Sequence, residues 1–245
     1  MECFIVQKSD INLQLNSLVL RGEEARHAIR VLRIREGEKL LVTTLSGFCY
    51  RAKLTGCEQA AKNEWVAHCT IEEILPEHNE PNIDIELMQC IPQHQSKLEE
   101  IIEKITEIGI SSISPIYSKR TEKKTFNFER LTRIIQNACK QTYRARMPKL
   151  SEIMSFEQGL TKAQSEGRKI ILLHESAPLS DLLSKALQSN KHKKISLVVG
   201  PEGGFDDEEI VLANRNHGVQ IASLGPRRLR ADTAAVMAVS LALGI

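Results

Sequence analysis

From residue 83 to the end, short apolar runs alternate with segments of helical period, and no other feature of the sequence restricts the fold as much. Residues 83–89, 110–117, 169–173, 195–199 and 219–223 are strand-length and largely apolar, as strands covered on both faces should be. Helices are predicted over 96–108, 127–143, 181–188, 206–217 and 233–243. Ser96 and Glu99 have the spacing of a capping box, with Leu98, Ile101, Ile102, Ile105 and Ile108 on one face and Gly109 at the C-terminal cap. Asp206 reads as the cap of the next-to-last helix, which carries Asp207, Glu208 and Glu209 in its first turn. The last helix is apolar on nearly every side and should be buried. Such alternation places the segment in the α/β class, with a mostly parallel sheet and helices on both faces.

The N-terminal part reads differently. Short strands are predicted at 4–6, 39–44, 50–54 and 65–71, with a tight turn at Ser46-Gly47 and a helix over 23–32, where Ala25, Ile29 and Leu32 recur at helical spacing. Several short strands and one helix suggest a small β-barrel. Residues 75–82 are polar and hold Pro76 and Pro81, so the domains are expected at 1–74 and 75–245. No run approaches the roughly 20 apolar residues that span a bilayer, and Met1-Glu2-Cys3 does not open a signal peptide. No membrane and a cytoplasmic location are therefore expected. The six cysteines and seven histidines are scattered without paired spacing, so no metal is expected.

Two glycine-rich loops follow predicted strands. The first is Gly200-Pro201-Glu202-Gly203-Gly204-Phe205 and the second is Leu224-Gly225-Pro226-Arg227-Arg228-Leu229-Arg230. In open α/β sheets, ligands bind outside the carboxyl ends of the strands. The first loop is neither a P-loop nor the dinucleotide fingerprint, because no Gly-Lys-Ser/Thr follows and the glycine spacing is wrong. A plain strand-to-helix turn is the remaining generic reading. Three arginines in the second loop argue against it, since guanidinium suits phosphate or a developing anion.

Charge is uneven along the chain. Residues 73–118 hold 2 basic and 9 acidic side chains, whereas 119–149 hold 10 basic and 2 acidic, a local excess of +8 in a chain of net charge +2. Arg120, Lys123, Lys124, Arg133, Arg144 and Arg146 lie in that stretch, and Arg26, Arg30 and Arg33 share one face of the predicted N-terminal helix. These groups are the expected contacts to a phosphate backbone, against the alternative of solvated basic faces. Aromatic residues are only 4% of the chain, so base stacking is not the expected recognition device. His27 is expected to pack rather than react.

The two loops together closely resemble the RsmE family of S-adenosylmethionine-dependent, SPOUT-class RNA methyltransferases, which act on N3 of a uridine in small-subunit (16S) ribosomal RNA. The run His27-Ala28-Ile29-Arg30-Val31-Leu32-Arg33 resembles that family's PUA-like N-terminal barrel, and residues 97–109 its first catalytic-domain helix. The resemblance implies a trefoil-knotted C-terminal sheet, a homodimer and a bent cofactor. The residues implied to hold the cofactor are Leu173, His174, Glu175, Gly200, Pro201, Glu202, Gly203, Leu224, Gly225, Pro226, Leu229, Arg230 and Thr233. Gln141 joins the RNA contacts on the same ground. Two departures stand out: Ala231-Asp232-Thr233 replaces the common Thr-Glu-Thr, and Lys140-Gln141 replaces the frequent Glu-Gln.

Loss of the uracil N3 proton must accompany methylation. Arg230 is expected to stabilise the oxyanion, with Glu202 or Asp232 as proton acceptor. Glu202 bracing its loop and Asp232 capping the last helix are the competing structural readings. The functional alternatives are an RNA-binding ribosome-assembly protein without turnover, or methylation of a ribose hydroxyl or pseudouridine.

Overall fold

The structure is a computed structural model that describes residues 1–61, 64–122, 124–188 and 193–245. It falls into two compact units, Met1–Glu80 with Cys139–Met147, and Pro81–Ala138 with Pro148–Ile245.

In the first unit, β1 (Cys3–Ile5), β2 (Ile11–Asn12), β3 (Ser17–Arg21), β4 (Lys39–Thr43), β5 (Phe48–Ala61) and β6 (Glu64–Pro76) form one sheet in the order β1-β4-β5-β6-β3-β2. All ladders are antiparallel except β1 with β4. Register shifts along β5 and β6 let the sheet bend. It curls around Phe4, Leu18, Leu20, Leu40, Val42 and Leu54. Period-two alternation sends Leu41 to the opposite face, where Cys3, Cys49 and Ala145 cover it. β5 and β6 run well beyond the predicted 50–54 and 65–71.

The expected helix over 23–32 is shorter and irregular. α1 (Gly22–Arg26) continues through a π turn over His27–Val31, and Arg33 follows with φ 56°. Arg26 and Arg30 lie on these turns, whereas Arg33 lies beyond them in a left-handed conformation, so the three do not belong to one continuous regular helix. His27 packs edge-on against the Phe4 ring, 6.1 Å between centroids.

The second unit is α/β. Its strands are β7 (Asp84–Cys90), β8 (Ser112–Tyr117), β9 (Lys149–Leu150), β10 (Met154–Ser155), β11 (Lys169–Leu173), β12 (Lys194–Val199) and β13 (Gln220–Ala222). The sheet order is β10-β8-β7-β12-β11-β13, with β9 also on β8, and every ladder is parallel. Its helices are α2 (Gln95–Ile108), α3 (Phe128–Gln141), α4 (Phe156–Ser165), α5 (Leu183–Gln188), α6 (Asp207–His217) and α7 (Ala231–Leu243). α4 and α6 cover Met88, Cys90, Ile116 and Val198 on one face. α2 and α7 pack together on the other, with α7 against β7 and β12. β13 is an edge strand, yet the chain after it returns to the middle of the sheet. That return is the crossing on which a trefoil-knotted sheet depends. Among the described residues no helix is long and apolar enough to cross a membrane.

The Ser96–Glu99 capping box does not form. α2 begins one residue earlier, His94 is its cap without a side-chain bond, and the Glu99 carboxylate is taken by Arg130 and Gln95 instead. A charge-assisted bidentate partner outcompetes a lone backbone N–H. Asp206 does cap α6, accepting from the Glu208 amide while Glu209 returns a bond to the Asp206 amide.

Candidate functional site

Four segments meet at the carboxyl end of the second unit's sheet. Residues 91–94 follow β7, 174–177 follow β11, 200–206 follow β12, and 223–230 follow β13. Together they enclose an open cleft of about 520 Å³. Ile101, Leu173, Val199, Leu224 and Leu229 give it apolar walls, and charged groups gather at its rim. That mixture of apolar wall and few polar groups suits a small organic ligand of nucleoside size.

Glycine has a local reason at two positions. A Cβ on Gly200 would come within 3.0–3.5 Å of the Phe205 ring, which is buried 4.8 Å from the Phe156 ring. Gly225 adopts φ 122°, where side chains are strained, and a Cβ there would meet no protein atom within 4 Å. The backbone at Gly225 therefore borders open cleft, leaving a ligand room to approach it.

Of the residues implied for cofactor, Leu173, His174, Glu175, Gly200, Pro201, Glu202, Leu224, Gly225, Leu229 and Arg230 line the cleft. Gly203, Pro226 and Thr233 do not. The Gly203 carbonyl accepts from Arg120 Nη1 at 2.9 Å, Pro226 is exposed, and the exposed Thr233 hydroxyl donates to Asp232. Four wall residues that sequence reasoning missed come from the segment after β7: Pro92 and His94 from the connection, Lys97 and Ile101 from the first turns of α2. The rule that singled out the other loops also applies after β7.

Arg230 caps α7 through its backbone, its carbonyl accepting from Ala234 at 2.8 Å, and its exposed side chain stands at the cleft mouth with no hydrogen-bond partner among the described residues. Arg228 pairs with Glu175 at 3.0 Å, tying two of the loops together. Glu202 Oε1 accepts from the Gln93 amide at 3.2 Å, so this carboxylate braces the segment after β7 rather than its own loop. Asp232 sits in the first turn of α7 and accepts from Lys97 Nζ at 3.1 Å. The Lys97 bond holds the Asp232 carboxyl below the ordinary carboxylate range, and Glu100 with Asp232 raises the Lys97 ammonium. The ion pair with Lys97 thus favours the ionised form of Asp232.

The expected RNA contacts divide sharply. Arg26, Arg30 and Arg33 are exposed, with the Arg30 guanidinium 5.4 Å from the Trp65 ring centre. Lys124 lies over the Tyr117 ring, and Gln141 is exposed at the end of α3. Lys123 lies outside the described residues. Arg144 is no surface contact: it is 2% exposed and donates to Glu80 at 2.6 Å. Arg146 is paired with Glu77 and its amide donates to Glu80. Arg120 is anchored on Gly203. The basic residue at 140, where the family often has Glu, is answered by Glu24, whose oxygens lie 2.7 and 2.8 Å from its Nζ.

Residues 78–243 match the family model of the RNA methyltransferase domain, and residues 20–57 match that of the RNA methyltransferase PUA domain. Ribosomal RNA small subunit methyltransferase E of Bacillus subtilis (strain 168) is 31% identical over 230 residues, covering 90% of this chain and 87% of the relative. The protein of that name from Synechocystis is 33% identical, covering 91% and 72%. The crystal structure of Ribosomal RNA small subunit methyltransferase E from Neisseria gonorrhoeae, bound to S-adenosyl methionine, superposes with a TM-score of 0.79 at 27% identity, covering 98% of this chain and 95% of that one. A match of this extent across both units, with the two diagnostic loops folded into one cleft, places the chain in the ribosomal RNA small subunit methyltransferase E (RsmE) family of RNA methyltransferases.

Proposed function

We propose that the protein transfers a methyl group from S-adenosylmethionine to N3 of a uridine in 16S ribosomal RNA of the small subunit, acting in the cytoplasm as a homodimer. The observation that carries this reading is the cleft itself: glycine-rich loops after β12 and β13 and the segment after β11 border it, and an arginine with no hydrogen-bond partner among the described residues stands at its mouth. Its volume and apolar walls fit an adenosine joined to a methionine chain. Leu173, Val199, Leu224 and Leu229 would bury the flat base, while the open backbone at Gly225 allows close approach.

When bound, the cofactor supplies an electrophilic methyl on a sulfonium. The chain's residues align the uracil and manage its charge. The N3–H bond breaks and its proton passes to the Glu202 carboxylate, whose Oε2 makes no hydrogen bond among the described residues. The N3 electron pair forms the N–C bond as the S–C bond breaks, and the sulfur keeps that pair. Arg230 holds the charge that spreads onto the uracil oxygens. Arg26, Arg30, Arg33, Lys124, Arg133 and Gln141 supply the surface contacts to RNA.

The test is transfer of labelled methyl to small subunits that lack their natural methylations, with nucleoside analysis of the product. Label in 3-methyluridine is expected with the wild type. Arg230→Ala should slow transfer about 100-fold or more, the scale of losing one transition-state donor. Label on ribose or pseudouridine overturns the assignment to uridine N3, and cofactor binding without transfer to any RNA points to a non-catalytic assembly protein. Wild-type turnover by Arg230→Ala removes Arg230 from the chemistry.

A further inference from the structure

We propose that Lys97 is a second cation for the acceptor base, its ammonium held at the cleft by Asp232 and acting with Arg230 on the two carbonyl oxygens that flank the methylated nitrogen. This rests on the uridine-N3 reading above. A uracil that loses its N3 proton spreads the charge over both neighbouring oxygens, and one guanidinium answers that distribution incompletely. Preorganised donors aimed at developing charge are the largest single source of rate enhancement in such sites.

Among the cations on the cleft wall, Lys97 is held by two carboxylates, from Glu100 and Asp232. Arg228 is engaged by Glu175 and strongly exposed, and Arg227 is exposed on the same loop. Lys97 stands in the first turn of α2, where its amide donates to the His94 carbonyl at 3.0 Å. An ammonium has three donors. Glu100 on its own helix takes one at 3.0 Å and Asp232 at the start of α7 takes another at 3.1 Å, leaving a third. Arg230 lies two residues before Asp232, so one short stretch of α7 positions both cations. His94 and Glu202 are the other titratable groups on this part of the wall.

The roles then separate. Asp232 keeps Lys97 in place and neither donates nor accepts a proton. Lys97 remains an ammonium throughout and lowers the energy of the deprotonated uracil. The outcome is a specific kinetic signature: without Lys97 the N3 proton is harder to remove, so the rate should climb to a higher pH before levelling.

Single-turnover methylation of small subunits would be followed from pH 6 to 10 for wild type, Lys97→Met, Lys97→Arg and Asp232→Asn, with cofactor affinity measured separately by calorimetry. Lys97→Met should bind S-adenosylmethionine within about twofold of wild type, which also reports that the unit has folded. Its rate at pH 7 should fall about tenfold to 100-fold, with the gap closing at high pH. Lys97→Arg should restore most of the rate, and Asp232→Asn should lie between. An equal loss at every pH overturns the proposal in favour of a structural role. A weakened cofactor affinity with an unshifted pH profile overturns it in favour of a contact to the cofactor's own carboxylate. Absence of 3-methyluridine from the wild-type product overturns the functional reading and this inference with it, whereas a normal wild-type product with an unshifted Lys97→Met profile overturns this inference alone.

Discussion

Single residues show most clearly how burial changes what a side chain can do. Arg144 and Arg146 are two positions apart in the same basic run, yet Arg144 and Glu80 leave only 3% and 6% of their side chains exposed, whereas Arg146 and Glu77 leave 52% and 55%. Arg144→Ala strands the Glu80 carboxylate in the interior and should destabilise the protein by about 3–5 kcal/mol. Arg146→Ala should cost about 1 kcal/mol or less. Denaturant unfolding of the two variants checks the contrast, and equal losses would contradict it. The cysteines make the same point. Burial pushes the Cys3, Cys69, Cys90 and Cys139 thiols up to about 12 and Cys49 to about 11, whereas Cys57 is exposed. Iodoacetamide at pH 8 should therefore modify one thiol per native chain, at Cys57, by peptide mass spectrometry; rapid labelling of a second would show that the buried thiols open to solvent. The sequence placed the charge of Arg144 correctly and its role incorrectly, because residue type carries charge but not the partner that buries it.

At the scale of elements, what the sequence reveals depends on length and on local chemistry. The long apolar runs of β7, β11 and β12 are legible in the sequence, as are α2, α3 and α7 from their apolar residues and α6 from its Asp206 cap and acidic first turn. α4 is not. It contains Gly159, which ordinarily weakens a helix, but here a Cβ would meet Met88 Sδ at 3.1 Å and Ile116 Cγ2 at 3.2 Å. The glycine lets α4 lie close on the sheet, a tertiary reason that no local pattern displays. The two-residue strands β9 and β10 are too short to have a period at all. Capping chemistry divides in the same way. Ser155 accepts from the Gln158 amide and Gln158 returns a bond to the Ser155 amide, so Ser155→Ala should cost about 1 kcal/mol. Ser96→Ala should stay within about 0.5 kcal/mol, because its box is absent. Chemical denaturation distinguishes them, and a larger loss at Ser96 than at Ser155 would refute the assignment of caps.

For the whole molecule, the cleft was legible where its loops carry glycine and arginine, but the contribution of 91–94 depends on sheet order. β7 lies beside β12 although more than a hundred residues separate them, so only the folded sheet brings Lys97 to Asp232. The charge distribution teaches the complementary lesson. The excess of +8 over residues 119–149 suggested a broad phosphate-binding patch, but much of it is internally engaged. Lys119 is held by Glu208, Arg120 by Gly203, Arg130 by Glu99, Lys140 by Glu24, Arg144 by Glu80 and Arg146 by Glu77. The free positive charge proposed to meet RNA is therefore chiefly Arg26, Arg30, Arg33, Lys124 and Arg133, the last exposed and without an ion pair among the described residues. Each phosphate neutralised contributes about 0.7–0.9 to the slope of log affinity against log salt, so four or five contacts give a slope of roughly −3 to −4.5. Fluorescence anisotropy on a 16S RNA fragment between 50 and 300 mM salt measures it. Replacing Arg26, Arg30 and Arg33 together with Ala should flatten the slope by about 2, while Arg144→Gln should leave it unchanged. A wild-type slope near −7 would mean that the ion pairs of residues 119–149 open on the RNA, and the buried Arg144–Glu80 pair would be the one exception able to resist it.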